Sequence, residues 1–302
     1  LHVRSRRQRQ MCIRDSTKSM DMDTMPVYKL LKLMNDEDKT VPYSVEKVLP
    51  EIEKAVLCVI NSFEQGGRLI YIGAGTSGRL GVLDAVECPP TFGVSSNTVI
   101  GLIAGGEKAF VQAQEGAEDS INLAIEELKS INLQTEDIVC AIAASGRTPY
   151  CIGGLQYAKS IGCKTIAIAC NKNSEIGKNA DLAIEVEVGP EVLTGSTRLK
   201  AGTAQKLILN MISTVAMTGI GKVYENLMVD LKVTNEKLLE RAKKNVIQIT
   251  GCTSKDAARL LKVSNNNVKL AIVMGLLDCS LEEAINHLKK SNGFIRKIDN
   301  IK

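Results

Sequence analysis

Hydroxyl side chains and glycines gather at two places where an apolar run gives way to a helix-like segment. In GAGTSG (73–78) they are Gly75, Thr76, Ser77 and Gly78; in AASGRTPY (143–150) they are Ser145, Gly146, Arg147 and Thr148. A helix starting at such a turn presents unpaired N–H groups and the positive end of its dipole, which suits an anion. One such turn reads equally well as a simple cap. Two of them, each after a strand of one sheet, point to a monoester phosphate on a small sugar. GAGTSG also matches GxGxxG, but a dinucleotide site wants an acid about 20 residues on. After Glu87 the next acid is Glu107, beyond the second strand, so that position is empty. Arg79-Leu80 stands where a Walker A loop needs Lys-Ser/Thr.

Proton chemistry falls to carboxylates, Lys, Tyr or Cys, because the chain holds only two histidines, His2 and His287. Neither builds a Ser-His-Asp relay or a His-rich metal site. Glu87, in DAVECPP, is expected to end a helix at Cys88-Pro89-Pro90, where the dipole disfavours negative charge and a general acid would be at home. Glu115, Glu118 and Asp119 fall in a helix-like stretch over 107–130, where a solvated acidic face is the plainer account. Arg198 and Lys200, in GSTRLKAG, could reach a phosphate or carboxylate, or could simply open the long helix 198–223.

These groups need a scaffold. RLIYIGAG (68–75), NTVIGLIAGG (97–106), DIVCAIAASG (137–146), KTIAIAC (164–170) and LAIEVEVG (182–189) are apolar runs without polar alternation, interleaved with helix-like segments. That is a buried parallel sheet in a three-layer α/β sandwich. Residues 26–63 have helical spacing broken by the turn-like NDEDKTVP (35–42), and from about 198 onward only helices are expected. Thr253 or Ser254, and Ser280 with Glu283, have N-cap spacing. The expected organisation is a helical segment at 17–49, the sugar-phosphate domain at 50–225 and a small C-terminal helical domain at 226–302. Residues 1–16 carry five Arg against Asp15, the whole formal net charge of +4; they lack an apolar signal core and read as foreign to the fold.

Composition removes other classes. Aromatics are 3% of the chain and Trp is absent, so a base-stacking nucleic-acid platform is not expected. Nine cysteines without a CxxC pair lie mostly in apolar runs, as small core residues of a reducing compartment do, and no zinc site is expected. No stretch is apolar enough to span a bilayer, so a soluble cytoplasmic protein is expected.

Several strings resemble one family. YIGAGTSGRLGVLDAVECPPTFG (71–93) and GLIAGGEKAFVQAQEGAEDS (101–120) are the most specific. AASGRTPY (143–150), TGSTRLKAGTAQKLILNM (194–211), NLMVDLKVTNEKL (226–238) and NGFIR (292–296) fit as well. Together they resemble the N-acetylmuramic acid 6-phosphate etherases, a branch of the sugar isomerase (SIS) fold, from about Met34 to Ile298. The resemblance implies a lyase of amino-sugar catabolism and cell-wall recycling. It would release D-lactate from the sugar's C3 ether and leave N-acetylglucosamine 6-phosphate, with neither metal nor cofactor. It further implies Glu118 as base at C2, Glu87 as acid to the leaving oxygen, and a homodimer. An aldose–ketose isomerase would share the C2 step; a non-catalytic sugar-phosphate sensor would not need both glutamates.

Overall fold

The computed structural model describes residues 16–301 apart from Ala113 and Thr234. The Arg-rich leader, Cys12 and His2 therefore lie outside the described residues. Five parallel strands stand in the order β2-β1-β3-β4-β5: β1 Leu69–Gly73, β2 Val99–Ile103, β3 Ile138–Ala143, β4 Lys164–Ala169 and β5 Leu182–Glu185. β1 and β3 are buried along their whole length, as unalternating apolar strands must be when helices cover both faces. On one face lie α3 (Leu49–Glu64), α4 (Gly75–Phe92) and α9 (Lys200–Gly219), sharing a core with Tyr71, Cys140 and Ile168. On the other lie α6 (Ile121–Ser130) and α7 (Pro149–Ile161), packed on Ile70, Ile72 and Val139. This is the expected three-layer sandwich.

Strand order decides where a ligand can sit. From β1 the chain steps out to β2, then crosses back to β3 on the other side of β1. The connections leaving β1 and β3 thus diverge and leave a crevice at their carboxyl ends. Both glycine–hydroxyl turns lie there.

Four local expectations need correction. Residues 35–42 are no open turn: α1 (Val27–Asp38) and α2 (Thr40–Glu46) are joined through Lys39 alone, itself in right-handed helical conformation. Pro42 falls in the first turn of α2, where its missing N–H has no intrahelical partner to lose. The stretch 107–130 is three pieces: α5 (Glu107–Val111), a 3-10 turn at Ala117–Asp119, and α6. Gly116, at φ +80°, turns the chain out of helix, and Ser120 caps α6 by accepting from the Leu123 N–H. Glu87 does not end its helix, because α4 runs on through Pro89 and Pro90 to Phe92 and stops at Gly93, φ +68°. The field of a helix end is confined to the last turn, so the dipole argument for Glu87 falls. Finally, a short antiparallel hairpin, β6 (Val223–Tyr224) and β7 (Leu227–Met228), interrupts the helical C-terminal part.

Beyond the hairpin, α10 (Glu236–Thr250), α11 (Ser254–Val263), α12 (Val268–Leu277) and α13 (Leu281–Lys290) enclose a separate core from Tyr224 to Ile298. Thr253 caps α11, and Ser280 with Glu283 forms a complete capping box. At the other end of the chain, Val41 and Val45 of α2 are buried in the sheet's own core.

The amino ends of β1 and β3 are joined by one carboxylate. Asp137, with a side chain 1% exposed, accepts from the Arg68 N–H at 2.9 Å, from Arg68 Nε at 3.0 Å and from the Gln134 N–H at 2.8 Å. The same guanidinium donates to the carbonyls of Ile131 and Asn132. Asp137→Ala removes the common acceptor and leaves a half-buried guanidinium unpaired. Its urea midpoint should fall by the equivalent of about 2–3 kcal/mol, the lower end for a broken buried pair because Arg68 keeps some solvent contact.

Candidate functional site

At the carboxyl edge of the sheet, helix N-termini are treated in two ways. α8 (Glu175–Asn179) is capped by Ser174, whose hydroxyl accepts from the Gly177 N–H. α9 is capped by the Glu191 carboxylate, which accepts from the N–H groups of Lys200 at 2.9 Å and Ala201 at 3.0 Å. α4 and α7, which follow β1 and β3, have no side-chain cap; their N-cap residues are Ala74 and Thr148. The plain account of the hydroxyls as caps therefore does not describe them. Ser77 is buried and donates to Gln205 Oε1 at 3.0 Å, while Ser145 accepts from the Arg147 N–H at 3.3 Å. Gly78 packs under the turn, its N–H on the Ala74 carbonyl. Arg147 is exposed beside α7.

A cleft of about 210 Å³ opens beside the first turn of α4, lined by Ala74, Gly75, Arg79, Gln114, Glu115 and Glu118 among others. Glu118 sits on the 3-10 turn, which packs against α7. With burial as the main cause, its charge helps push the Cys151 thiol of α7 up to about 12. Glu118 therefore stands between the two uncapped helices. The segment carrying it is docked by close approach: a Cβ on Gly153 of α7 would collide with the Ile121 carbonyl at the start of α6. Arg79 fastens the preceding piece, donating from Nε to the Phe110 carbonyl at 2.8 Å and from Nη2 to the Ala109 carbonyl at 2.7 Å. Glu115 lines the same cleft.

Glu87 is elsewhere. It is exposed on α4 and does not line the cleft. Twelve residues of helix separate it from Gly75, about 18 Å along the axis. Beside it on the same helix Leu83 and Val86 are also exposed. A single chain thus brings Glu118 and the α4 turn together and leaves Glu87 apart.

Lys200 is not presented to the cleft. It is 1% exposed, and its ammonium pairs with Glu37 of α1 at 2.8 Å, while Glu37 also takes Lys18 at 2.7 Å. Arg198 is exposed. Composition marks Lys200 as a cation but carries no sign of Glu37, 163 residues away and already its partner. Gln205 and Asp84 were also not anticipated. Asp84 of α4 accepts from Tyr71 and pairs with Lys206 of α9, each at 3.1 Å, and burial raises its carboxyl. Gln205 could have been noticed: Ala201, Ala204, Ile208 and Ile212 form the buried stripe of α9, and Gln205 falls within it. Among the described residues no three His, Cys, Asp or Glu side chains form a candidate metal site.

Hydrogen bonds from Lys18 and Lys200 hold the Glu37 carboxyl below its usual range. A lowered carboxyl stabilises the fold above its unfolded pKa of about 4.3 and loses that contribution as pH falls through its lower folded value. Glu37→Gln should destabilise the protein by about 3 kcal/mol at pH 7, since it leaves a buried ammonium without its counter-charge. In urea titrations, the gap between variant and wild type should narrow below about pH 4.

Residues 51–159 match the family described as glucokinase regulatory protein N-terminal SIS domain, and residues 121–215 match the SIS domain family. N-acetylmuramic acid 6-phosphate etherases from Bacillus cereus and Bacillus anthracis are each 60% identical over 280 residues, covering 93% of this chain and 95% of the relative. A phosphoheptose isomerase structure from Neisseria gonorrhoeae superimposes with a TM-score of 0.51 at 13% identity, over 64% of this chain and all of that one. That last likeness concerns the fold alone.

Proposed function

The chain belongs to the N-acetylmuramic acid 6-phosphate etherase family, and on that premise we propose how its own side chains divide the work. The reaction is cleavage of the lactyl ether of the sugar phosphate, a carbon–oxygen lysis. An ether is a poor electrophile, so the bond needs an activated neighbour. In the ring-opened sugar the C2 proton lies next to the C1 aldehyde. Glu118 takes that proton, and the C–H electron pair moves into the enolate. The enolate expels lactate from C3 while Glu87 donates a proton to the departing ether oxygen. Water then adds at C3 of the unsaturated aldehyde and a proton returns to C2. The net change is hydrolysis to N-acetylglucosamine 6-phosphate and D-lactate, with two proton-transfer groups and water as the only co-reactant.

The observation that carries this reading is Glu118 lining the cleft at the uncapped first turn of α4, on a 3-10 turn that packs against α7. The phosphate is held by donors of the two turns: Gly75 and Thr76 with Ser77 behind them, and Ser145, Arg147 and Thr148; Gly78 and Gly146 shape the turns, their own N–H groups being spent on the Ala74 and Ala143 carbonyls. Glu87 reaches a site from a second copy of the chain. A homodimer is supported by three apolar surfaces left uncovered. α1 has no buried side chain, and Tyr28 is 81% exposed. A groove of about 610 Å³ between α3 and α9 is lined by Leu49, Val56, Leu57, Ile60, Met211 and Val215. Leu83 and Val86 flank Glu87. Among the described residues no helix is long and apolar enough to cross a membrane, and the eight described cysteines are free thiols, which supports a cytoplasmic setting.

The wild-type protein should release D-lactate from N-acetylmuramic acid 6-phosphate; ketose formation without lactate would select an isomerase instead. Glu118→Gln should slow exchange of the C2 proton with solvent by at least about 100-fold, while Glu115→Gln leaves it largely intact. If each site draws on two chains, mixing inactive Glu87→Gln with inactive Glu118→Gln should restore about one quarter of wild-type activity, since random pairing leaves one intact site per mixed dimer. No recovery after mixing by refolding would place both glutamates in one chain.

A further inference from the structure

Among the described residues one buried donor is unsatisfied, and it lies beside the site. Gln205, on α9, is 0% exposed. Its Oε1 accepts from the buried Ser77 hydroxyl at 3.0 Å, but its Nε2 has no hydrogen-bond partner. Buried amide nitrogens are almost always paired, because leaving a donor unmade is costly. The only other buried side-chain atom without a hydrogen bond, Asp230 Oδ2, is paired with Lys269 and Lys222, so Gln205 Nε2 is the one without any compensation among the described residues.

The amide's position is fixed from two sides. One turn earlier on the same face of α9, a Cβ added to Gly202 would sit 3.5 Å from Thr76 Cγ2. Ser77, the next residue of α4, holds Oε1. Within an amide the nitrogen is about 2.2 Å from the oxygen, so Nε2 lies beside the first turn of α4. That turn has no side-chain cap. Backbone N–H groups and Nε2 are all donors, and a cluster of donors takes an atom that only accepts. A sugar hydroxyl would bring its own proton; an oxyanion would not.

We propose that Gln205 is a substrate-binding residue whose Nε2 donates to an oxyanion of the sugar phosphate at the first turn of α4, with Ser77 as the positioning residue that orients its amide. The substrate offers two such groups, the phosphate and the lactyl carboxylate, and the phosphate is the one that product retains. The proposal rests on the etherase reading for the identity of the ligand, and on the orphaned donor for the contact.

Gln205→Met keeps the volume and the helix but removes the donor. It removes one unpaired buried donor but deprives another, the Ser77 hydroxyl, of its acceptor, so the melting temperature should change little. Binding of N-acetylglucosamine 6-phosphate to the full-length protein, measured by calorimetry, should weaken about 10- to 100-fold, the loss expected for a hydrogen bond to a charged group. KM for lactate release should rise similarly with kcat little changed, the mark of a contact made equally in ground and transition states. Ser77→Ala should weaken binding in the same sense by a smaller factor. A raised KM with unchanged product affinity would assign the contact to the lactyl carboxylate, within the same proposal. Unchanged KM and product affinity would overturn it, as would a fall in melting temperature that fully accounts for the lost binding. Failure of the wild type to release lactate would sink the etherase reading instead, leaving the binding comparison standing.

Discussion

The site depends on a constraint of parallel sheets: helices that follow neighbouring strands on either side of a reversal start at the same edge and point their N–H groups into one crevice. Here the reversal lies between β1 and β3, and the helices concerned are α4 and α7. Their neighbours at that edge, α8 and α9, have those groups satisfied by Ser174 and Glu191. The contrast gives the crevice its character. Two helix ends remain open to an anion, while the adjacent ones are closed by the protein itself, so the positive end of α9 is neutralised before any ligand arrives.

A sheet edge can hold a phosphate, but it supplies no base. The proposed base, Glu118, sits on an irregular segment between β2 and α6, whose position is set by contacts rather than by a long helix. Arg79 grips it through two carbonyls, and the absence of a side chain at Gly153 lets Ile121 settle on α7. Docking a short non-helical turn in this way lets Glu118 stand over the crevice without a rigid helix intruding on it. Glu87, on a regular helix, is held where α4 takes it, about three turns away. On the proposed reading, subunit packing would bring the two to one sugar and cover the apolar side chains beside Glu87.

The sheet was legible in the sequence because its strands are largely apolar runs and all but KTIAIAC (164–170) ended in glycine. The two glycine–hydroxyl turns were legible for the same reason, since residue types at a strand end suffice to mark them. What failed were local patterns read without their tertiary context. Residues 107–130 carry enough helix formers to look continuous, yet the backbone conformation at Gly116 decides otherwise. Pro89 and Pro90 look like a stop signal, yet the tertiary packing of Cys88 and Phe92 holds the helix through them. Lys200 looks like a substrate cation because its partner lies 163 residues away, and no local pattern reports a pairing at that separation.

α9 ties these levels together. Its first turn is neutralised by Glu191 and carries Lys200, which holds α1 through Glu37. One turn on, Gln205 and Lys206 face α4, the first through Ser77 and the second through Asp84. Met211 and Val215 then line the uncovered groove. Past its end, Lys222 and the buried Lys269 converge on Asp230, and Lys269 also donates to the Gly221 carbonyl, anchoring the C-terminal helices. Because the side chains contacting the α4 turn and those available for subunit contact lie on one rigid helix, a rotation of α9 would move both. The small side chains at Ala201, Gly202 and Ala204 let that helix lie close against its neighbours, and close-packed interiors resist such rotation. That rigidity is what keeps the amide in place: Gln205 is held by its helix and by Ser77.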